Sequence, residues 1–299
     1  MRVGVSLSHR TANDLGLDPV HAFEQLASGG FRPIRVSAYW DSDPIDNYQT
    51  LDRMVAAAER LGTSIVITVG MKGMRWPEFY IPATIQQSQL ATSVVDFAAT
   101  TVARYKHSRA VEAWQVENEP RNRSGPKFRL VPSELLNREM KAVAQVDGRP
   151  QVVNCFLHFT SLSDLVSRPW PWYDVVDHVL DLLSTDDVLG FDIHPFIGRR
   201  LGPIRWLSSA RSSWPREWRA VADRVRSAGR RVWVTESQAE PWGRGSLDPT
   251  RMQLIFDGVR EAEPEVVLLW GAEFWLKRQS EGDPRWLDAA LSLVKSAQQ

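Results

Sequence analysis

The stretch Gly29-Gly-Phe-Arg-Pro-Ile-Arg-Val-Ser-Ala38 holds the repeating unit of this chain in miniature. Two glycines close a helical pattern, and a short apolar run, residues 33–38, follows at once. Glycine past a helix end supplies the left-handed turn that lets the chain reverse direction. A run so short, rich in Val and Ile and apolar on successive residues, reads as a strand covered on both faces, the habit of parallel sheets. Runs of the same kind recur at 2–7, 64–69, 111–116, 151–156, 188–194, 231–235 and 266–270, which makes eight. Helical patterns separate them. Gly62, Gly148 and Gly229 stand where helices should stop. Asp18-Pro19, Asp248-Pro249 and Asp283-Pro284 stand where helices should start, each an N-cap residue followed by proline at the first helical position.

Dividing 299 residues by eight leaves about 37 per unit, room for a strand, a helix and two loops. Alternating strands and helices imply a parallel sheet, and eight units imply closure, so the expected fold is α/β, a single (β/α)8 barrel over residues 1–299. An open doubly wound sheet normally carries a glycine-rich phosphate loop after its first strand, and Ser6-Leu-Ser-His-Arg10 offers none. Residues 206–218 read as a long Ser/Arg/Trp-rich connection after the sixth strand, a kind of loop that is more often functional than idle.

Composition removes several classes of function. The 36 Lys and Arg balance 36 Asp and Glu, so no general attraction to nucleic acid or an anionic membrane is expected. Cys155 is the one cysteine, which excludes an internal disulfide and any Cys/His zinc cluster. The longest apolar run falls far short of the roughly 18 residues of a membrane span, and Met1-Arg-Val-Gly-Val-Ser-Leu-Ser has no signal-peptide core. A cytoplasmic location is the expectation, although a secreted chain already trimmed of its leader would read the same way. Oligomeric state leaves no mark in the sequence.

In such barrels the active site lies at the C-terminal ends of the strands. The fourth strand ends Trp114-Gln-Val-Glu-Asn-Glu-Pro120 and the seventh ends Trp233-Val-Thr-Glu-Ser-Gln238, so Glu119 and Glu236 are delivered to the barrel mouth from roughly opposite sides. Two carboxylates flanking one bond are what glycoside hydrolysis requires: one protonates the departing oxygen, and the other meets the positive charge developing on the sugar carbon. Glu117 competes with Glu119, since strand alternation puts both on one face, but regular pairing should stop before Pro120.

Asn118-Glu119-Pro120 and Thr235-Glu236, together with Gly30-Phe-Arg-Pro-Ile-Arg35-Val and Gly271-Ala-Glu-Phe-Trp275-Leu, resemble clan A of the glycoside hydrolases, the cellulase-like barrels. The resemblance spans almost the whole chain. It implies a retaining enzyme for a β-linked saccharide, without cofactor or metal, with Glu119 as acid and then base and Glu236 as nucleophile. It further implies that Arg35 sits beside the nucleophile, that Asn118 donates to the sugar 2-hydroxyl, and that Trp275 follows strand eight. It selects Glu119 over Glu117, which becomes a buried or supporting carboxylate. The chain departs from the clan at the end of strand six. Where many members have a Tyr that bonds the nucleophile, it reads Gly190-Phe-Asp-Ile-His194-Pro-Phe196, so His194 takes over that bond, touches a sugar hydroxyl, or serves structure alone. His158, ending strand five, carries the same ambiguity.

Tryptophan usage points to sugar independently. There are 13 Trp against 5 Tyr, and Trp40, Trp76, Trp170, Trp172, Trp206, Trp242 and Trp275 all follow strands. The flat C–H face of a sugar packs on an indole, so Trp40, Trp242 and Trp275 join the expected substrate-binding set, whereas Trp218 and Trp286 fall in helical patterns and read as core. Serine hydrolase chemistry lacks its Gly-x-Ser-x-Gly elbow, and Trp242-Gly-Arg-Gly245 is a faint echo of a phosphate loop. Two alternatives stay open. One is a non-catalytic carbohydrate- or protein-binding barrel. The other is a metal-dependent hydrolase built from His9, Asp192, His194 and Glu236, although the chain has six His and no His-x-His pair.

Overall fold

The computed structural model describes residues 1–41, 44–157, 159, 172–201, 204–241 and 247–297. In chain order the elements are β1 (Arg2–Ser6), α1 (His9–Asp14), α2 (Pro19–Ser28), β2 (Ile34–Ser37), α3 (Pro44–Leu61), β3 (Ile65–Val69), α4 (Leu90–Tyr105), β4 (Val111–Val116), α5 (Ser133–Val146), β5 (Gln151–Leu157), α6 (Trp172–Leu180), β6 (Val188–Ile193), β7 (Phe196–Leu201), β8 (Ile204–Ser209), α7 (Trp214–Ser227), β9 (Arg231–Gln238), α8 (Pro249–Arg260), β10 (Val266–Trp270), α9 (Ala272–Ser280) and α10 (Arg285–Ala297). Eight of the strands close into a parallel barrel in the order β1-β10-β9-β6-β5-β4-β3-β2. The expected (β/α)8 architecture is therefore present, and β9 and β10 are its seventh and eighth strands. The expected helix starts at Asp18 and Asp248 are real caps, each side chain accepting a backbone N–H of the first turn.

Two cores fill the molecule. The larger lies between strands and helices and includes Phe23, Phe31, Trp218, Phe256 and Trp286. The smaller plugs the barrel lumen with Val66, Ala113, Val152, Val188, Trp233, Val266 and Leu268. Side chains two residues apart on a strand share a face. Two residues beyond Ala113, Val152 and Trp233 stand Gln115, Asn154 and Thr235, and four beyond Val188 stands Asp192, all buried. The lumen thus turns from apolar to polar as the strands approach their C-terminal ends. Gly190 keeps the transition open, because a Cβ there would lie 2.6 Å from Thr235 Cγ2 and 3.1 Å from Asn154 Cβ.

The connection expected at 206–218 is in fact structured. β8 pairs antiparallel with β7, from Phe196 opposite Ser209 to Leu201 opposite Ile204, so Trp206 lies in a strand. Helix α7 begins at Trp214, where Pro215 suits the first turn and Trp214, Trp218, Val221 and Val225 form one buried stripe. The abundance of Ser and Arg concealed that stripe. Strand β9 also runs three residues past the expected end. It is irregular there: Phe191 pairs with Val234 but Asp192 with Glu236, and Val267 pairs with Val234 but Leu269 with Ser237. This bulge turns the consecutive residues Thr235 and Glu236 both toward the lumen, where a regular strand would send them to opposite faces.

Among the described residues, no helix is long and apolar enough to cross a membrane. Trp218 joins three elements: it is fully buried on α7, its ring meets Phe191 of β6 at 5.1 Å, and its Nε1 donates to the Val259 carbonyl of α8 at 2.9 Å. Replacing it with Ala should lower unfolding stability by about 3–5 kcal/mol, read as a shift in urea midpoint at unchanged slope. A loss below 1 kcal/mol would show that this joint is dispensable.

Candidate active site

The site rests on a guanidinium placed at the top of the lumen. Arg35, on β2, has no exposure to solvent. Its Nε donates to Ser6 Oγ at 2.9 Å, its Nη1 to Gln115 Oε1 at 3.0 Å and Asn118 Oδ1 at 3.3 Å, and its Nη2 to Glu236 Oε1 at 2.7 Å. The other carboxylate oxygen of Glu236 shares a hydrogen bond of 3.2 Å with His194 Nε2. Burial pushes the Glu236 pKa up, but the His194 hydrogen bond and the Arg35 charge pull harder, and the net position is below the ordinary glutamate value. Of the roles open to His194, the structure supplies the bond to the nucleophile candidate.

Glu119 faces this carboxylate. Glu119, Asp192 and Glu236 each offer one oxygen, and these three atoms lie within 4.8 Å of one another. Burial raises the Glu119 pKa; the Lys72 ammonium opposes the rise, the Glu236 charge adds to it, and the net position is above the ordinary value. Asp192 is held well above the ordinary value by burial and by the charges of Glu236 and Glu119. Its two oxygens meet Thr235 Oγ1 at 2.6 Å and Asn154 Nδ2 at 2.5 Å.

The backbone leading to Glu119 is unusual. Glu117 and Glu119 have φ of +61° and +45°, left-handed values that a residue with a side chain adopts only when its surroundings enforce them. The surroundings do so. The Glu117 carboxylate accepts the backbone N–H groups of Met71 at 2.9 Å and Lys72 at 2.5 Å, under Gly70, whose absent Cβ would lie 2.5 Å from Glu117 Cδ. The Glu119 N–H donates to Asn154 Oδ1 at 2.7 Å. Lys72, fully buried, donates through Nζ to the Glu119 carbonyl at 2.8 Å and the Asn122 carbonyl at 3.0 Å, and stands 3.8 Å from Glu119 Oε2. Glu117 is thus a scaffold carboxylate outside the group formed by Glu119, Asp192 and Glu236. Its neighbour Glu139 of α5 is held well above the ordinary value by burial and by the Glu117 charge.

Asn118 is held by its oxygen. Oδ1 accepts from Arg35, from Gln115 Nε2 at 3.2 Å and from Asn154 Nδ2 at 3.1 Å, which leaves Nδ2 without a partner among the described residues. Its amide therefore presents donors to the site.

The tryptophan expectations need correction. Trp275 has no exposure; its Nε1 donates to the Ala239 carbonyl at 2.7 Å and its ring packs toward Phe31, so it belongs to the core. Trp40 is nearly buried and stacks on Phe97 of α4 at 5.7 Å. Position after a strand does not tell which way an indole turns, and both turned outward, toward the helices. Trp242, like His158 and Trp170, lies outside the described residues. The indole at the site is Trp270, the last residue of β10, half-buried and edge-on to His194 at 6.5 Å. The Arg75 guanidinium covers its ring at 4.1 Å, and Arg75 in turn is clamped by Glu240 and by Glu273, the latter at 2.6 Å. Sequence reasoning also missed Asn154, Asp192 as a buried partner of Asn154 and Thr235, and Lys72. The first two were visible as polar residues on the lumen face of apolar strands; Lys72 left no signal.

His9 and His194 are not in the carboxylate group that has metal-ligand spacing. His9 packs against Tyr39 at 5.0 Å, and burial lowers its pKa to about 4.

No protein-family model matches the sequence, and no curated protein sequence does. Solved structures do resemble it. A GH5_18 protein from Streptomyces cattleya, in complex with GlcNAc, superposes with a TM-score of 0.59 at 17% identity, over 90% of this chain and 70% of its own. An endo-1,4-beta-mannanase from Rhizomucor miehei gives 0.60 at 14% identity, over 90% and 85%. A fungal beta-1,4-galactanase gives 0.61 at 15% identity, over 99% of each chain. At these identities the likeness establishes a common fold: the barrel is the one used by these glycoside hydrolases.

Carboxyl-carbon NMR of glutamate-labelled protein should find Glu119 titrating above the ordinary range and Glu236 below it. Lys72→Met should move Glu119 further up, since the cation that favours its charged form is gone. The reverse order of the two groups would contradict the electrostatics described.

Proposed function

We propose that this chain is a retaining glycoside hydrolase acting on a β-linked saccharide, with Glu236 as nucleophile and Glu119 as general acid and then base. The observation that carries the reading is a pair of carboxylates with opposite pKa displacements whose oxygens approach within 4.8 Å. Retaining chemistry uses carboxyl groups about 5–5.5 Å apart, whereas inversion needs about 6.5–9.5 Å to admit a water between acid and sugar. The short gap supports a covalent route. The common fold with an endo-1,4-beta-mannanase and a beta-1,4-galactanase supports the same class of substrate.

The residues divide the work as follows. Protonated Glu119 delivers its proton to the departing glycosidic oxygen while ionised Glu236 attacks the anomeric carbon, forming a glycosyl ester and releasing the alcohol. Glu119, now a carboxylate, takes a proton from water, whose oxygen attacks the anomeric carbon and frees Glu236. Arg35 and His194 keep Glu236 charged and aimed. Asn118 Nδ2 is placed to meet the hydroxyl beside the reacting carbon. Asp192 acts through Asn154, whose oxygen anchors the Glu119 backbone and whose nitrogen fixes Asn118.

The two alternatives lose ground on specific contacts. A binding-only barrel was favoured by the missing Tyr near the nucleophile, and His194 fills that position's bond. A metal centre would draw on Glu119, Asp192 and Glu236, but both oxygens of Glu236 are already engaged by Arg35 and His194, and those of Asp192 by Thr235 and Asn154.

A panel of aryl β-glycosides should include at least one substrate that the wild type cleaves. Glu119→Ala should slow it by at least about 100-fold, most for poor leaving groups, and Glu236→Ala should slow it more. A 2-fluoro glycoside should label the peptide bearing Glu236. Label elsewhere, or cleavage indifferent to both substitutions, overturns the assignment. The pH profile of kcat/KM should be bell-shaped, with Glu236 setting the acid limb and Glu119 the basic limb. Lys72→Met should carry the basic limb to higher pH, and His194→Ala should carry the acid limb to higher pH, because each removes a group that favours a carboxylate's charged form.

A further inference from the structure

On the C-terminal face of the barrel, a groove of about 710 Å³ opens between the loop after β3 and the loop after β4. Its floor is apolar, formed by Phe79, Leu90, Leu130 and Leu135, and Phe128 stands over it with 64% of its surface exposed. Arg123, Lys127, Arg129 and Arg138 line it, against one carboxylate, Glu134. None of the four cations forms an ion pair or a side-chain hydrogen bond among the described residues. Arg75, Arg104 and Arg224, by contrast, are each held by a carboxylate. A chain of zero formal charge has gathered unpaired positive charge in one apolar hollow. Like charges so placed repel one another until an anion enters.

The groove is joined to the catalytic pair by two short links. Asn122 Nδ2 bonds Glu119 Oε2 at 3.0 Å, and the next residue, Arg123, lines the groove. Phe79 presents its ring to Lys72 Nζ at 5.8 Å from one side and lines the groove on the other. Both links lead to the Glu119 side of the site rather than to Glu236.

On the reading of the site as a glycosidase, we propose that this groove is a subsite for an acidic saccharide, holding a carboxylate- or sulfate-bearing sugar with its ring against Phe79 and Phe128 and its charge on the arginines. Guanidinium forks match both anions, and aromatic rings accept the sugar's C–H face. An acidic oligosaccharide satisfies floor and rim together, whereas a neutral one leaves the rim charges unmatched.

Isothermal titration of the whole protein with trigalacturonate, with its fully methyl-esterified form, and with a heparin-derived tetrasaccharide tests this. At least one acidic probe should bind more than about 10-fold tighter than the ester, and the double variant Arg129→Glu/Arg138→Glu should lose that margin while keeping the wild-type melting temperature. Added salt should weaken the same binding. Carboxylate and sulfate arms together tell which anion is preferred. Equal binding of acidic and esterified probes, or acidic binding untouched by the double variant, overturns the proposal. Glu236→Ala should abolish turnover and leave acidic binding intact, so failure of the glycosidase reading and failure of the groove are seen in different measurements.

Discussion

A guanidinium with no access to water sits at the centre of this barrel, and the site is arranged to match it. A buried cation left without partners is strongly destabilising, whereas a fully matched one is tolerated. Arg35 reaches from β2 to Ser6 on β1, to Gln115 on β4, to Asn118 just beyond it, and to Glu236 on β9. Its match therefore requires the strands to close in one register. With His194 it also favours the charged form of Glu236, so a demand of folding and a demand of chemistry are met by the same contact.

From that centre the hydrogen bonds run in a ring. Asn154 receives the Glu119 N–H and a Gln115 amide hydrogen on its oxygen and gives its own hydrogens to Asn118 and Asp192. Thr235 closes the ring on the far oxygen of Asp192. Three carboxyls can share so small a space because their surroundings treat them differently: Glu236 is favoured as an anion, while Glu119 and, more strongly, Asp192 are biased toward the acid form. Environment divides three chemically similar groups into distinct parts.

Much of this was legible in the residues. Eight apolar runs with helix stops and starts between them carried the barrel, because parallel strands covered on both faces leave a continuous apolar trace. Glu119 and Glu236 were legible because a barrel gathers its strand ends at one rim. Arg35 and Asn118 were legible through their motif neighbours. Trp40 and Trp275 were misread, since an indole following a strand turns outward or inward according to tertiary packing that local sequence does not encode. The hairpin β7–β8 and the start of α7 were misread for a related reason: the Ser and Arg residues there hid a helical stripe of Trp and Val. Lys72 left no trace, because two of its partners are backbone carbonyls, which every sequence contains, and its carboxylates, Glu78 and Glu119, meet it only once the fold has closed.

The irregularity in β9 carries a lesson for transplantation. Two neighbouring side chains, Thr235 and Glu236, look the same way only because the strand skips a partner. Grafting the glutamate alone onto the corresponding strand of another barrel would aim it between helices or separate it from the threonine that steadies Asp192. Whoever moves this chemistry to a new host must move the kink in the chain along with it.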